Sequence, residues 1–230
     1  MRMLGSTTEM VPNSRWGNVS DGLDNLLFVD TEFTDLRNQI LISLGAKAYR
    51  GCEFYAESSD FQTEQCSPFV KRTVLPLLKG TEFAESELQI GERFVAWIES
   101  LHGPCRLVFD YVGDFEIIAR LFTCIGHWPS NLYRVAYEVA LPYSTCDQGP
   151  GFGSNFSARQ IAKVEKSIAE HFQAFPRHHA LHDALAMKLA WSLYSDQPRM
   201  GSKMLEKCLI ASHKCTSLFR GQDYSPLPLG

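Results

Sequence analysis

An α/β fold, a mixed five-stranded sheet flanked by helices, is predicted by three features of this 230-residue sequence. Short apolar runs cluster early in the chain and read as an antiparallel meander. Later strand-like runs alternate with helical periods, as in layered α/β domains, and no internal repeat or low-complexity block interrupts the plan.

The first strand is expected over 25–30, where Asn25-Leu26-Leu27-Phe28-Val29-Asp30 is an apolar run of the kind found in a central strand. The second is expected over 39–49 and the third over 52–57, joined by a tight turn through Arg50-Gly51. Helical periods follow over 68–78 and 85–101; in the latter Leu88, Phe94, Val95, Trp97, Ile98 and Leu101 recur at three- and four-residue spacing. A fourth strand at 106–110 leads through a glycine turn into a helix over 114–122, and an alternating run at 133–139 gives the last strand. The Gly- and Pro-rich stretch 142–155 reads as a loop, and two further helices are expected over 157–172 and 179–194. The polar, aperiodic residues 1–24 read as a flexible leader, 25–198 as one domain, and 199–230 as a C-terminal extension.

Composition narrows the functional classes. Hydrophobic residues at 45% are enough for one sizeable core. The sequence has neither an uncharged apolar stretch of spanning length nor a signal-peptide pattern, so a soluble cytoplasmic protein with no membrane association is expected. The cysteines at 52, 66, 105, 124, 146, 208 and 215 form no C-x-x-C pair, which predicts reduced thiols serving as small core residues. A net charge of −4 argues against a protein that coats long nucleic acid through a basic face. It does not exclude an enzyme that grips a few nucleotides, because bound cations supply positive charge that a residue count omits. Lys203, Lys207, Lys214 and Arg220 in the extension read as a solvated face.

Three segments carry chemistry. Asp30 and Glu32 follow the first apolar run directly; residues two apart on a strand share a face, so two carboxylates point the same way at the end of a buried strand. Such a pair is costly without a compensating positive charge. In the second segment, Arg177-His178-His179-Ala180-Leu181-His182-Asp183, His178 precedes Asp183 by five residues at the opening of an apolar helix. Asp183 falls on the helix side of Met187, Ala190 and Tyr194, where an aspartate needs a partner. The third segment, Asp110-Tyr111-Val112-Gly113-Asp114-Phe115, is a strand end turning into a helix; Asp114 sits where it can cap that helix, and Asp110 is a second acidic candidate.

Taken in this order, the three segments resemble the Exo I, Exo II and Exo III motifs of the DnaQ-like 3′-to-5′ exonucleases of DEDDh type, whose fold is ribonuclease H-like. The resemblance spans 26–195. Asp30 and Glu32 match the D-x-E of Exo I, Asp114 the aspartate of Exo II, and His178 with Asp183 the H-x-x-x-x-D of Exo III. Exo II is the loosest match, since Gly113 and Phe115 stand where the family commonly has Asn and Phe, and Asp110 is a rival for its ligand.

The resemblance implies two Mg²⁺ or Mn²⁺ ions. Asp30 would bridge them, Glu32 and Asp183 would bind the ion carrying the attacking water, Asp114 would hold the other through water, and His178 would be the general base. An oxygen-rich donor set suits these hard cations better than zinc. His179 and His182 are expected to be bystanders, while Thr31 and Phe33 are expected to line the terminal nucleotide's pocket, Phe33 having ordinary core packing as its equal alternative. The implied partner is the 3′ end of single-stranded RNA or DNA. Asp30-Thr31-Glu32-Phe33 and the strand at 53–58 favour RNA by similarity to a bacterial exoribonuclease subgroup. A homodimer is an expectation of the resemblance alone. A non-catalytic nucleic-acid-binding module on the same fold is the alternative of another class.

Overall fold

The computed structural model describes residues 26–49, 51–80, 82, 84–134, 136–138 and 158–195. The expected leader, the loop at 142–155 and the C-terminal extension lie outside the described residues.

β1 (Leu26–Phe33) runs antiparallel to β2 (Leu41–Ala48), which runs antiparallel to β3 (Glu53–Ser58), so the early meander forms as expected. On its other side β1 pairs in parallel with β5 (Arg106–Phe109). Two-residue strands close the edges: β4 (Ala84–Glu85) beside β3 and β6 (Tyr137–Glu138) beside β5. The sheet order is β4-β3-β2-β1-β5-β6, a mixed sheet flanked by helices and consistent with a ribonuclease H-like arrangement. All five expected strands are present. β4 is an addition without a sequence signal; it stops after two residues because Ser86 begins a helix. β6 is shorter than the alternating run 133–139 suggests, although Leu132 bridges to Cys105 just ahead of it.

The helices follow local chemistry. α1 (Pro68–Thr73) opens with proline in its first turn and with Ser67 Oγ accepting the Val70 N–H at 3.2 Å. It ends well short of residue 78, a correction to the expected span: Pro76 has no N–H for the carbonyl of Arg72, and a 3₁₀ turn at Leu75–Leu77 replaces the helix. α2 (Glu87–Glu99) begins with a capping box between Ser86 and Gln89. α3 (Val112–Cys124), α4 (Ala158–Ala174) and α5 (Ala180–Ser195) complete the set. Among the described residues no helix is long and apolar enough to cross a membrane, and Cys52, Cys66, Cys105 and Cys124 are free thiols.

Alternation along β1 sorts the molecule into layers. Leu27 and Val29 point into the main core with Leu44, Phe94, Ile118 and Phe122 of the α2–α3 side. Phe28, Asp30 and Glu32 point the opposite way, toward α5, where the Phe28 ring meets Trp191 edge-on at 5.9 Å. Gly45 lies opposite Asp30 across the β1–β2 ladder. A Cβ there would come within 2.2 Å of the Ala180 carbonyl carbon and the Leu181 nitrogen, so the first turn of α5 rests directly on the strand. The glycine supplies space, and that space sets the height of α5 above β1.

Gly45→Ala is therefore expected to lower stability by about 3 kcal/mol, the upper end of overpacking costs, in a denaturant melt. Gly91→Ala, where the nearest side-chain atom is Ile125 Cγ2 at 3.4 Å, is expected to raise stability by about 0.5–1 kcal/mol through helix propensity. Equal effects at the two positions would refute the close contact.

Candidate metal centre

Three elements from distant parts of the chain bring acidic groups to one end of the sheet. β1 carries Asp30 and Glu32, both partly exposed on its α5 side. β5 ends at Phe109, so Asp110 is the first residue beyond it, and Asp114 lies in the first turn of α3. The turn between α4 and α5 presents His178, and the first turn of α5 presents Asp183.

The groups assemble as two sets of three. Glu32, His178 and Asp183 each offer a donor atom within 4.8 Å of the other two, and Asp30, Asp110 and Asp114 do the same. Asp183 Oδ2 accepts the backbone N–H of His178 at 2.8 Å, which ties the turn to the helix it precedes. His178 holds a left-handed backbone, φ 62°, the one non-glycine residue described with positive φ. The five-residue spacing read from the sequence thus corresponds to a closed loop: histidine backbone bonded to aspartate side chain, with the imidazole left for other work.

Asp114 behaves differently from a helix cap. Tyr111 occupies the N-cap position, and the Asp114 carboxylate reaches across to β1. Its Oδ1 accepts the Thr31 N–H at 3.1 Å and the Thr31 hydroxyl at 2.6 Å. The side chain is buried, and Oδ2 has no hydrogen-bond partner among the described residues. Leaving a buried carboxylate oxygen bare costs roughly 1–3 kcal/mol or more, so this atom calls for a positive partner.

Electrostatics give the same message. Burial, then the charges of Asp114, Asp183, Glu32 and Asp110, hold the Asp30 carboxyl well above the usual carboxylate range. Glu32 is raised by burial and then by Asp183 and Asp114. Asp114 is raised by burial and then by Asp110, against the opposing bonds from Thr31. Asp183 is pushed up to about 7, mainly by burial, with the His178 N–H resisting. Mutual repulsion in a low-dielectric setting is relieved by cations, and carboxylate oxygens are the ligands hard divalent ions take. The two groups can hold metal ions, and the donor set fits them.

The remaining expected residues fall around this centre. Burial, then Arg177, lowers the His178 pKa, which keeps the imidazole neutral and able to accept a proton. The Thr31 side chain is buried and committed to Asp114. Phe33 stacks on Tyr111 at 5.9 Å and packs against the main core. His179 and His182 form an aromatic pile with Tyr55, at 4.6 Å between Tyr55 and His179 and 4.0 Å between the two histidines. Burial first, then His182, lowers the His179 pKa to about 4. One neighbour has no sequence signal: Phe69 of α1 sits edge-on to the His178 ring at 4.9 Å with 48% of its surface exposed. An isolated phenylalanine in an amphipathic helix reads as core, and only the fold sets it beside the imidazole.

The raised carboxyls give the metal-free protein a definite pH dependence. An acid whose folded pKa exceeds its unfolded value, about 4, contributes full stability below that value and loses it as pH rises through the folded pKa, about 7 for Asp183. The depressed histidines act oppositely, but only below their unfolded pKa of about 6.5. Above about pH 6.5 the carboxyls alone remain, so in chelator the melting temperature is expected to fall as pH rises from about 6.5 to 8.5, and less so in Asp30→Asn. A flat profile for the unsubstituted chain would contradict the buried repulsion.

In comparison with known proteins, the chain matches no protein-family model and no curated protein sequence, so the geometry of this centre and the motif pattern carry the functional reading.

Proposed function

We propose that this chain is a metal-dependent 3′-to-5′ exonuclease of the DnaQ-like, DEDDh type, hydrolysing single-stranded nucleic acid to nucleoside 5′-monophosphates, with RNA preferred over DNA. The observation that carries the reading is the meeting of Asp30, Glu32, Asp114 and Asp183 with His178 at one end of the sheet, in two adjoining sets of donor atoms. Two sets suit two ions. Asp30, with Asp114 helping through water, would hold one Mg²⁺ or Mn²⁺, and Glu32 with Asp183 the other. When bound, such a pair stabilises charge on both the attacking and the leaving oxygen of a phosphodiester.

The chain's own groups account for the rest. His178, neutral because burial disfavours its charged form, takes a proton from the water that attacks phosphorus. The P–O3′ bond breaks, the shortened strand keeps its 3′-hydroxyl once that oxygen is protonated, and the released nucleotide keeps the 5′-phosphate. The Asp183 bond to the His178 N–H fixes the turn from which the imidazole projects, so base and carboxylate move together. Phe69, half-exposed beside that imidazole, offers an aromatic surface on which an unpaired base can stack without sequence preference. The RNA preference rests on the similarity of the Asp30-Thr31-Glu32-Phe33 segment to exoribonucleases.

Digestion of 3′-labelled and 5′-labelled single- and double-stranded RNA and DNA, with Mg²⁺ or Mn²⁺, tests the proposal. Terminal mononucleotide is expected from 3′-labelled single strands, faster from RNA. Asp30→Asn is expected to abolish cleavage, and His178→Ala to lower kcat by about 10²–10⁴-fold. Equal rates on RNA and DNA would remove the RNA preference; binding without cleavage under every condition would defeat the enzyme reading in favour of a non-catalytic module.

A further inference from the structure

Four carboxylates are what the exonuclease motifs require, and the centre contains five. Asp110 stands outside the D-x-E, the Exo III pair and the first turn of α3, yet its carboxylate lies within 4.8 Å of donor atoms of both Asp30 and Asp114. The sheet explains why. β5 is the parallel neighbour of β1, with Phe28 level with Val108. Continued two residues past the last pair, that register would bring Asp110 level with Asp30. Side chains alternate, and Leu107 and Phe109 belong to the core beneath the sheet with Leu27 and Val29. Asp110 therefore shares the α5 face with Asp30, the face from which Asp183 also approaches.

Asp114 reaches the cluster from the opposite layer. It is 2% exposed, with one oxygen committed to Thr31 and the other buried and bare. Asp110 is partly exposed.

We propose that Asp110 is a fifth carboxylate of the centre, a direct ligand of the ion held beside Asp30, while Asp114 acts mainly from behind by fixing Thr31 and thereby the strand that carries Asp30 and Glu32. This assignment rests on the two-ion reading given above. It makes one ion site richer in protein ligands than the motif alone provides, and it sets the tighter ion on the Asp30–Asp110 side.

Manganese titration of the whole chain, with free Mn²⁺ read by electron paramagnetic resonance, separates the possibilities. The unsubstituted chain is expected to bind two ions. Asp110→Asn is expected to bind one with unchanged affinity and the other more than about a hundredfold more weakly, beyond the losses typical of outer-shell partners. Its metal-free melting temperature is expected to equal or exceed that of the unsubstituted chain, because one repelling charge is gone. Two ions on Asp110→Asn at undiminished affinity would overturn the assignment and leave the nuclease reading standing. Failure of the unsubstituted chain to bind Mn²⁺ saturably would overturn both. If Asp110→Asn lowers the metal-free melting temperature, Asp110→Glu decides instead: it keeps the charge and displaces the oxygen, so it weakens one site if Asp110 is a ligand and changes neither if it is not.

Discussion

Backbone meets backbone where the first turn of α5 crosses β2 at Gly45, and the acidic centre exists only at that separation. Asp30 is opposite this glycine in the ladder, and Asp183 lies three residues beyond Ala180 on the helix that rests there. A side chain in the gap would lift the helix and withdraw Asp183 and His178 from the β1 carboxylates together. Glycine is a poor strand former because it packs nothing of its own, so its place in a central strand reflects what has to fit above it.

Once the layers are fixed, the centre is a problem of charge in a dry place. Each carboxylate would be tolerable alone at a strand end or in a first helical turn, where water or a helix dipole offsets it. Brought together and partly sealed by α5 and α3, they raise one another's proton affinity. The protein keeps this arrangement rigid through local bonds: Thr31 to Asp114 on one side, and the His178 N–H to Asp183 on the other. The acids are thereby held close to one another, an arrangement that can hold a metal ion.

Much of this was legible in the sequence because it is written in short-range patterns. The apolar run before Asp30, the alternation along it, and the step from His178 to Asp183 are local signals, and the elements they predict are present within a few residues of their expected ends. Local signals mislead where a single residue overrides a period, as Pro76 does for α1, or where a strand is too short to have a pattern, as at β4. They say least about partners across the fold. Nothing near Asp114 in the chain shows that it will bond Thr31 instead of capping its own helix, and nothing near Phe69 shows that it will meet His178. The nearness of both Asp110 and Asp114 to Asp30 belongs to the same class: it follows from the parallel register of β5 with β1, which no single segment contains.

The left-handed backbone of His178 puts local strain at the residue whose imidazole faces Glu32 and Asp183. Glycine adopts that conformation without steric conflict and asparagine with less, whereas an imidazole-bearing residue tolerates it at some expense to the folded state. A glycine at this turn would relieve the backbone but would lose the ring contact with Phe69. The imidazole beside Phe69, Glu32 and Asp183 is thus held in place at some expense of folding free energy.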